Sequence, residues 1–468
     1  MRIYNSLSKE VEEFVPLDEK RGIVYMYNCG PTVYDYAHVG NFRSFILADS
    51  LRRYLEYKGY TVKQVMNITD VGHIIADQDT GEDKVEAKAK TQKKTPEEIA
   101  EYYTKAFFDD TSRLNLLAAS SYPRATDFIS EMHRIICTLI ERGHAYVVGK
   151  NVYYEVSSFP SYGKLSGNDL SSLQAGARLE TNPEKRNPLD FSLWVEDKKH
   201  IMGWKSPWGS HGYPGWHIEC SAMSQSVLER DTIDIHTGGE DNKFPHHECE
   251  IAQSEGSTGL PFSRFFVHAS HLLVEGKKMS KSLGNFYTLR DLLEKGYSGN
   301  AIRYFLLSGH YRQNSNLTLD GLHGSEQAVA RIQEFIYSLD TGPYGNDDLT
   351  QEKDIFISSF EKALDNDLNF PEALSSLFVF IEKVNKGNVS KESAREIKES
   401  MKKVNHVLGL LLEFEINIPL TVQRLVEERQ KHRNMGDFKE SDTLRKKIQH
   451  LGYDVRDSSD GPIVVKGK

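Results

Sequence analysis

Near its start the chain switches between two periods of apolar residues. Ile, Val and Tyr crowd Gly22 to Tyr27 at the density of a strand, and apolar residues then recur at helical spacing from Phe42 to Lys58 (Leu47, Leu51, Tyr54, Leu55) until Gly59. A second strand pattern, Thr61 to Met66, follows. Strand, loop, helix, strand is the first unit of a doubly wound parallel sheet, and such sheets bind ligands in the crevice at their strand C-termini. The connecting loop is therefore expected at a ligand mouth.

From Gly81 to about Asp110 the pattern predicts a charged helical stretch with Tyr102, Tyr103, Phe107 and Phe108 on its buried side. An amphipathic helix is expected from Tyr122 to Gly143, a hairpin from Tyr146 to Val156, and a loop over Ser166 to Pro188, where Gly, Asn, Ser and Pro concentrate. This section interrupts the sheet and reads as an inserted domain. The sheet is expected to resume over Ile201 to Cys220, with Trp204 and Trp208 in the core. Thr232 to His236 then reads as a strand, Gly238-Gly239 as a turn, and Pro245 as the start of a helix ending at Gly256. Leu272 to Val274 reads as a strand and Tyr287 to Ser308 as helical, and from about Ser325 to Glu413 amphipathic helices follow one another as a bundle. The predicted fold class is α/β: a Rossmann-type core in two halves (1–120 and 201–272) around an insert (121–200), then a loop region (273–324), an α-helical bundle (325–413) and a small C-terminal domain (414–468).

Composition narrows the class. With 468 residues, 39% hydrophobic and 27% charged, the chain is an ordinary globular one. No apolar run approaches a membrane span and the first residues lack a signal core, so a cytoplasmic protein without membrane contact is expected. Four cysteines, Cys29, Cys137, Cys220 and Cys249, are too few and scattered for a disulfide framework, which leaves thiols free for metal. A formal charge of -9 argues against indiscriminate nucleic-acid binding. The last part, Thr421 to Lys468, departs from it with eleven Lys and Arg against eight Asp and Glu. Its Arg429, Lys431, Arg433, Arg445, Lys446 and Lys447 form a basic patch suited to an RNA backbone, although a solvated helix face fits the same charges.

Three constellations carry chemistry. His38-Val39-Gly40-Asn41 places imidazole and amide donors around a glycine at a helix N-terminus, where free N–H groups favour phosphate. Lys278-Met279-Ser280-Lys281-Ser282 presents mobile charge and hydroxyls after a strand, suited to a phosphate gaining charge during reaction. Finally, Cys29, Cys220, His246 and Glu250 supply two thiols, an imidazole and a carboxylate, a tetrahedral zinc set for which Cys249, three residues from His246, competes. Cys137 is assigned to packing.

Together the two phosphate motifs resemble the paired ATP signatures of class I aminoacyl-tRNA synthetases. With Asn28-Cys29-Gly30-Pro31-Thr32-Val33-Tyr34-Asp35, Pro214-Gly215-Trp216-His217-Ile218-Glu219-Cys220, Phe244-Pro245-His246-His247-Glu248 and Asp367-Leu368-Asn369-Phe370-Pro371-Glu372-Ala373-Leu374, the chain resembles the bacterial cysteinyl-tRNA synthetases nearly end to end. The resemblance implies zinc (Zn2+) on Cys29, Cys220, His246 and Glu250, and a cysteine pocket using Gly30, Thr69, Trp216 and His236. It also implies ATP contacts at His38, Asn41, Asp241, Lys278 and Lys281 with Mg2+, catalysis through His38, Asn41, Lys278 and Lys281, and a C-terminal anticodon-binding domain. The implied partners are ATP, L-cysteine and tRNA(Cys), and the implied state a monomer. The sequence departs from the commoner family pattern at Val71-Gly72-His73, at Tyr213 and at Cys249. A zinc-containing RNA-binding paralogue without catalysis is the alternative, against which His38, Asn41, Lys278 and Lys281 speak.

Overall fold

The computed structural model describes residues 1–74, 81–168, 182–280, 284–341, 344–415, 419–458 and 461–466. Lys281 and Ser282 of the second phosphate motif, and most of the loop expected over Ser166 to Pro188, lie outside the described residues. The chain forms two compact units, one holding Met1–Gly299, Gly309–Thr318 and Asn366–Leu368, the other Asn300–Ser308, Leu319–Asp365 and Asn369–Lys468.

At the centre of the first unit is a four-stranded parallel sheet in the order Ser263–Ala269, Ile233–Gly239, Ile23–Asn28, Thr61–Met66. The strand Ile23–Asn28 is apolar up to Tyr27 and buried at all but its first residue, as a central parallel strand covered on both faces requires. Helix Val39–Tyr57 crosses from this strand to Thr61–Met66 on one side, whereas Ile233–Gly239 pairs on the other. The order thus reverses between the strands ending at Asn28 and Gly239, and the crevice beyond their C-termini is the ligand position for such a sheet.

The insert forms its own antiparallel sheet in the order Ala145–Val148, Asn151–Tyr154, Phe191–Glu196, Gly212–Pro214. Gly212–Pro214 belongs to this sheet, so the parallel sheet resumes at Ile233 and not over the 201–220 segment as expected. Gly212 makes that pairing possible, since a Cβ there would lie 2.4 Å from Trp194 Nε1. Trp194 is the fully buried indole, whereas Trp204 and Trp208, expected in the core, are half-buried.

The expected helical stretch after Gly81 is two helices, Lys84–Gln92 and Pro96–Arg113, separated where Thr95 caps the second in a reciprocal box with Glu98. Tyr103 and Phe107 are buried, but Tyr102 and Phe108 are 47% and 37% exposed. Successive helical residues diverge by about 100°, so neither adjacent pair shares one face. The helix expected from Pro245 to Gly256 is regular over Glu248–Thr258, preceded by a wider turn over Lys243–His247.

In the second unit, helices Leu319–Thr341, Thr350–Asp365, Phe370–Lys386 and Lys391–Leu408 bury apolar stripes. Beyond them, helices Leu420–Asn434 and Phe438–His450 and an antiparallel hairpin share a small core of Val422, Val426, Ile448, Val455 and Val464. The expected basic patch is smaller than its sequence. Arg429 is 1% exposed and grips Asp457 with two hydrogen bonds of 2.8 and 3.0 Å, Arg433 reaches the same carboxylate at 3.2 Å, and Arg445 pairs with Asp454. The Arg429 hydrogen bond holds Asp457 below the usual carboxylate range, so these arginines are committed within the domain. Among the described residues no helix is long and apolar enough to cross a membrane.

Candidate active site

Four elements converge at the switch point. The strand Ile23–Asn28 delivers Cys29, helix Trp216–Leu228 carries Cys220 in its first turns, and the turn Lys243–His247 with helix Glu248–Thr258 supplies His246 and Glu250. Gly215 lets that first helix start against the insert's sheet, where a Cβ would fall 2.1 Å from the Ser192 carbonyl oxygen. Trp216 stacks on His73, ring centroids 3.9 Å apart, and lies against His246 at 4.4 Å.

The donor atoms of Cys29, Cys220, His246 and Glu250 all lie within 4.8 Å of one another. Cys220 Sγ is 3.5 Å from His246 Nε2, His246 Nε2 3.1 Å from Glu250 Oε1, and Cys29 Sγ 3.7 Å from that same oxygen. Zinc with tetrahedral bonds of about 2.0–2.3 Å holds its ligand atoms roughly 3.3–3.8 Å apart, and the three distances given are close to that range. An overlapping set, Cys29, His236, His247 and Glu250, meets the same distance limit. Cys249 joins neither; its thiol meets the Tyr162 hydroxyl at 3.3 Å in a buried contact.

Burial, then the neighbouring Cys220 and Glu250, pushes the Cys29 thiol well above its usual range, and burial raises Cys220 likewise. Acidic groups crowded in a dry site resist losing their protons unless a cation compensates, which is the demand a divalent metal meets. Behind them lies a run of imidazoles: His236 meets Glu250 Oε2 at 2.9 Å, His247 meets His268 at 2.9 Å, and His268 reaches Ser6 at 2.8 Å. His247 is held well below the usual histidine range by burial and then by the neighbouring His236.

A cavity of about 480 Å³ reaches this cluster at Cys29 and is lined also by Gly30, Trp216, His38, Asn41, Asp241, Lys278 and Met279 among others. Gly30 has no room for a side chain, because a Cβ would lie 1.8 Å from the Asn67 carbonyl oxygen. Gly30→Ala is expected to lower stability by at least about 1–3 kcal/mol, measured by urea unfolding, as the strand end is forced away. His38 and Asn41 cap helix Val39–Tyr57 reciprocally: the Asn41 N–H donates to His38 Nδ1 (3.2 Å) and the His38 N–H to Asn41 Oδ1 (3.0 Å). Gly40 brings this turn against the second loop, with Met279 Cε 2.6 Å from where a Cβ would sit.

Two of the expected substrate residues stand back from the cavity. His236 is fully buried behind Glu250, and Thr69 is buried with its hydroxyl taking a hydrogen bond from Asn67. Lys281 lies outside the described residues.

Residues 13–327 match the family model for the tRNA synthetases class I (C) catalytic domain, 359–413 that of the DALR domain, and 417–462 the cysteinyl-tRNA ligase anticodon binding domain. A cysteine–tRNA ligase of Chlamydia caviae is 43% identical over 99% of this chain and 97% of its own, and one of Caldicellulosiruptor saccharolyticus 42% identical over 100% of both. The chain belongs to the cysteine–tRNA ligase family. A member of this family is an aminoacyl-tRNA synthetase, an enzyme whose substrate classes are ATP, an amino acid and tRNA. Its fold is also that of the Mycobacterium tuberculosis methionyl-tRNA synthetase in complex with methionyl-adenylate, with a TM-score of 0.59 at 14% identity, covering 82% of this chain and 91% of that one.

In this cysteine–tRNA ligase family member the geometry adds residues that motif reasoning passed over. His73 bonds the Thr32 hydroxyl at 2.8 Å while stacked on Trp216, so the Val71-Gly72-His73 departure reaches the cavity wall. Asn285 ties down Lys278 and Ser280, accepting from the Ser280 N–H at 2.9 Å and donating to the Lys278 carbonyl at 3.2 Å. The Leu283-Gly284-Asn285 that follows the lysines was its only signal.

Proposed function

We propose that the chain joins L-cysteine to tRNA(Cys) in two steps, forming cysteinyl-adenylate from ATP and then passing the cysteinyl group to a 3′-terminal ribose hydroxyl. The observation that carries this reading is the convergence of Cys29, Cys220, His246 and Glu250, of which Cys29 lines the same cavity as His38, Asn41 and Lys278. Zinc held by these four residues would supply a soft Lewis acid that ranks sulfur over oxygen, a distinction that an apolar pocket makes by only about 1–3 kcal/mol.

The chain's own residues do the rest. Cys29, Cys220, His246 and Glu250 would hold the metal, with Glu250 oriented by His236, and Trp216 stacked on His73 would close one side of the amino-acid pocket. The cysteine carboxylate attacks the α-phosphorus in line, its new O–P bond forming as the bond to pyrophosphate breaks. His38, Asn41, Lys278 and Lys281 neutralise the charge that grows on the phosphate oxygens, with Mg2+ accompanying ATP. Because Nδ1 of His38 accepts from a backbone N–H, the neutral ring carries its proton on Nε2 and presents a donor.

Cysteine-dependent ATP–pyrophosphate exchange tests this reading. Exchange is expected with cysteine, not with serine, and is expected to collapse after chelation and return with zinc. Absence of exchange from folded, zinc-loaded protein would leave the non-catalytic RNA-binding reading.

A further inference from the structure

At the lip of the cavity three tyrosines from two elements form one cluster. Tyr36 and Tyr103 line the cavity, while Tyr102, on helix Pro96–Arg113, stands outside and is 47% exposed. Tyr102 and Tyr103 meet edge to face at 5.0 Å, Tyr36 and Tyr103 at 5.2 Å, and the Tyr36 and Tyr102 hydroxyls are 2.6 Å apart. That hydrogen bond raises the Tyr36 hydroxyl to about 12.

Each ring carries a cation. Lys94 Nζ lies 5.2 Å from the Tyr102 centroid, Lys88 Nζ 5.4 Å from that of Tyr103, and the Arg290 guanidinium 4.7 Å from that of Tyr36. Lys88 and Arg290 are also paired, with Asp35 at 3.2 Å and Asp110 at 3.0 Å, whereas Lys94 sits exposed in the turn between the two helices. Aromatic ring faces interleaved with cations are the surface that binds unpaired nucleotides: bases stack on the rings and phosphates meet the cations. Lipid or acidic protein would use the cations and leave the exposed ring without a stacking partner.

We propose that Tyr102 and Lys94, with the Tyr36, Tyr103, Lys88 and Arg290 beneath them, form a binding surface for the unpaired 3′ end of tRNA on its way into the cavity. This rests on the reading that the chain charges tRNA. The surface is continuous with the cavity wall, so a strand stacked on Tyr102 has its next nucleotides directed inward past Tyr36 and Tyr103.

The test pairs two assays on the full chain. In the first, a labelled RNA hairpin with an unpaired 3′ tail and a blunt hairpin are titrated by fluorescence anisotropy. The tail is expected to tighten binding about tenfold, and this increment is expected to vanish in a Tyr102→Ala/Lys94→Ala protein and survive in Tyr102→Phe, which keeps the ring face. In the second, the double variant is expected to lose about tenfold in kcat/KM for tRNA while cysteine-dependent pyrophosphate exchange stays within twofold. Equal binding of the two hairpins, an increment that survives the double variant, or a parallel fall in exchange would each overturn the proposal. If the wild-type chain shows no exchange at all, the proposed function fails, and the hairpin titration still decides on the surface.

Discussion

Cys220→Ser protein is expected to fold normally, hold far less than one zinc per chain, and lose more than about a hundredfold in cysteine-dependent exchange. Serine is nearly the same size as cysteine, and Cys220 sits 1% exposed on a regular helix, so the packing around it changes little. What changes is the ligand set. A serine hydroxyl is a poor donor at neutral pH, whereas the thiol, though pushed up by burial, ionises once a cation is beside it. Outer partners of a metal typically contribute 10–100-fold to affinity or activity, and a direct ligand is expected to exceed that. Metal content by atomic emission, exchange kinetics and thermal unfolding are measured together. Full zinc with unchanged exchange would remove Cys220 from the ligand set and turn attention to the overlapping His236 and His247 donors. Unfolding in parallel with metal loss would instead make the ion structural.

The parallel core was legible because its signals are local. Gly22 to Tyr27 is too apolar for an edge strand, Gly59 ends a helix whose spacing is plain, and the capping of Val39–Tyr57 by His38 and Asn41 coincides with the phosphate motif itself. The approach of the cluster's two helical donors was legible for a different reason. His246 and Glu250 are four apart and stay adjacent, 3.1 Å between Nε2 and Oε1, even though the regular helix starts only at Glu248, because His247 already has helical backbone angles. What the sequence hid depended on pairing at a distance. Gly212–Pro214 joins the insert's sheet through contacts with Trp194, about twenty residues earlier, and nothing in three residues says which sheet they extend. Arg429 reads as a surface charge until Asp457 is brought beside it from the hairpin. Tyr102 reads as core because it is aromatic, and only helix phase shows that Tyr103 takes the inner place.

His38→Asn is the substitution that separates the two tasks of the first phosphate motif. His38 caps its helix and also faces the cavity, so His38→Ala would lose both roles, the cap alone costing about 1 kcal/mol. Asparagine is among the best N-cap residues and can accept from the Asn41 N–H as the imidazole does, so the asparagine protein is expected to match the wild type in thermal stability. It removes the ring Nε2–H. Donors aimed at charge that develops in a transition state are worth about 10²–10³ in kcat each, and exchange is expected to fall by that factor with little change in KM for cysteine. The KM is the discriminating part, because the proposed cysteine pocket would draw on Gly30, Trp216 and the Cys29 cluster and not on the helix cap. A loss of stability in His38→Asn equal to that in His38→Ala would show that the imidazole's cap is not replaceable. A fall in kcat no larger than tenfold would mean that Asn41 and the lysine loop carry the transition-state charge without it.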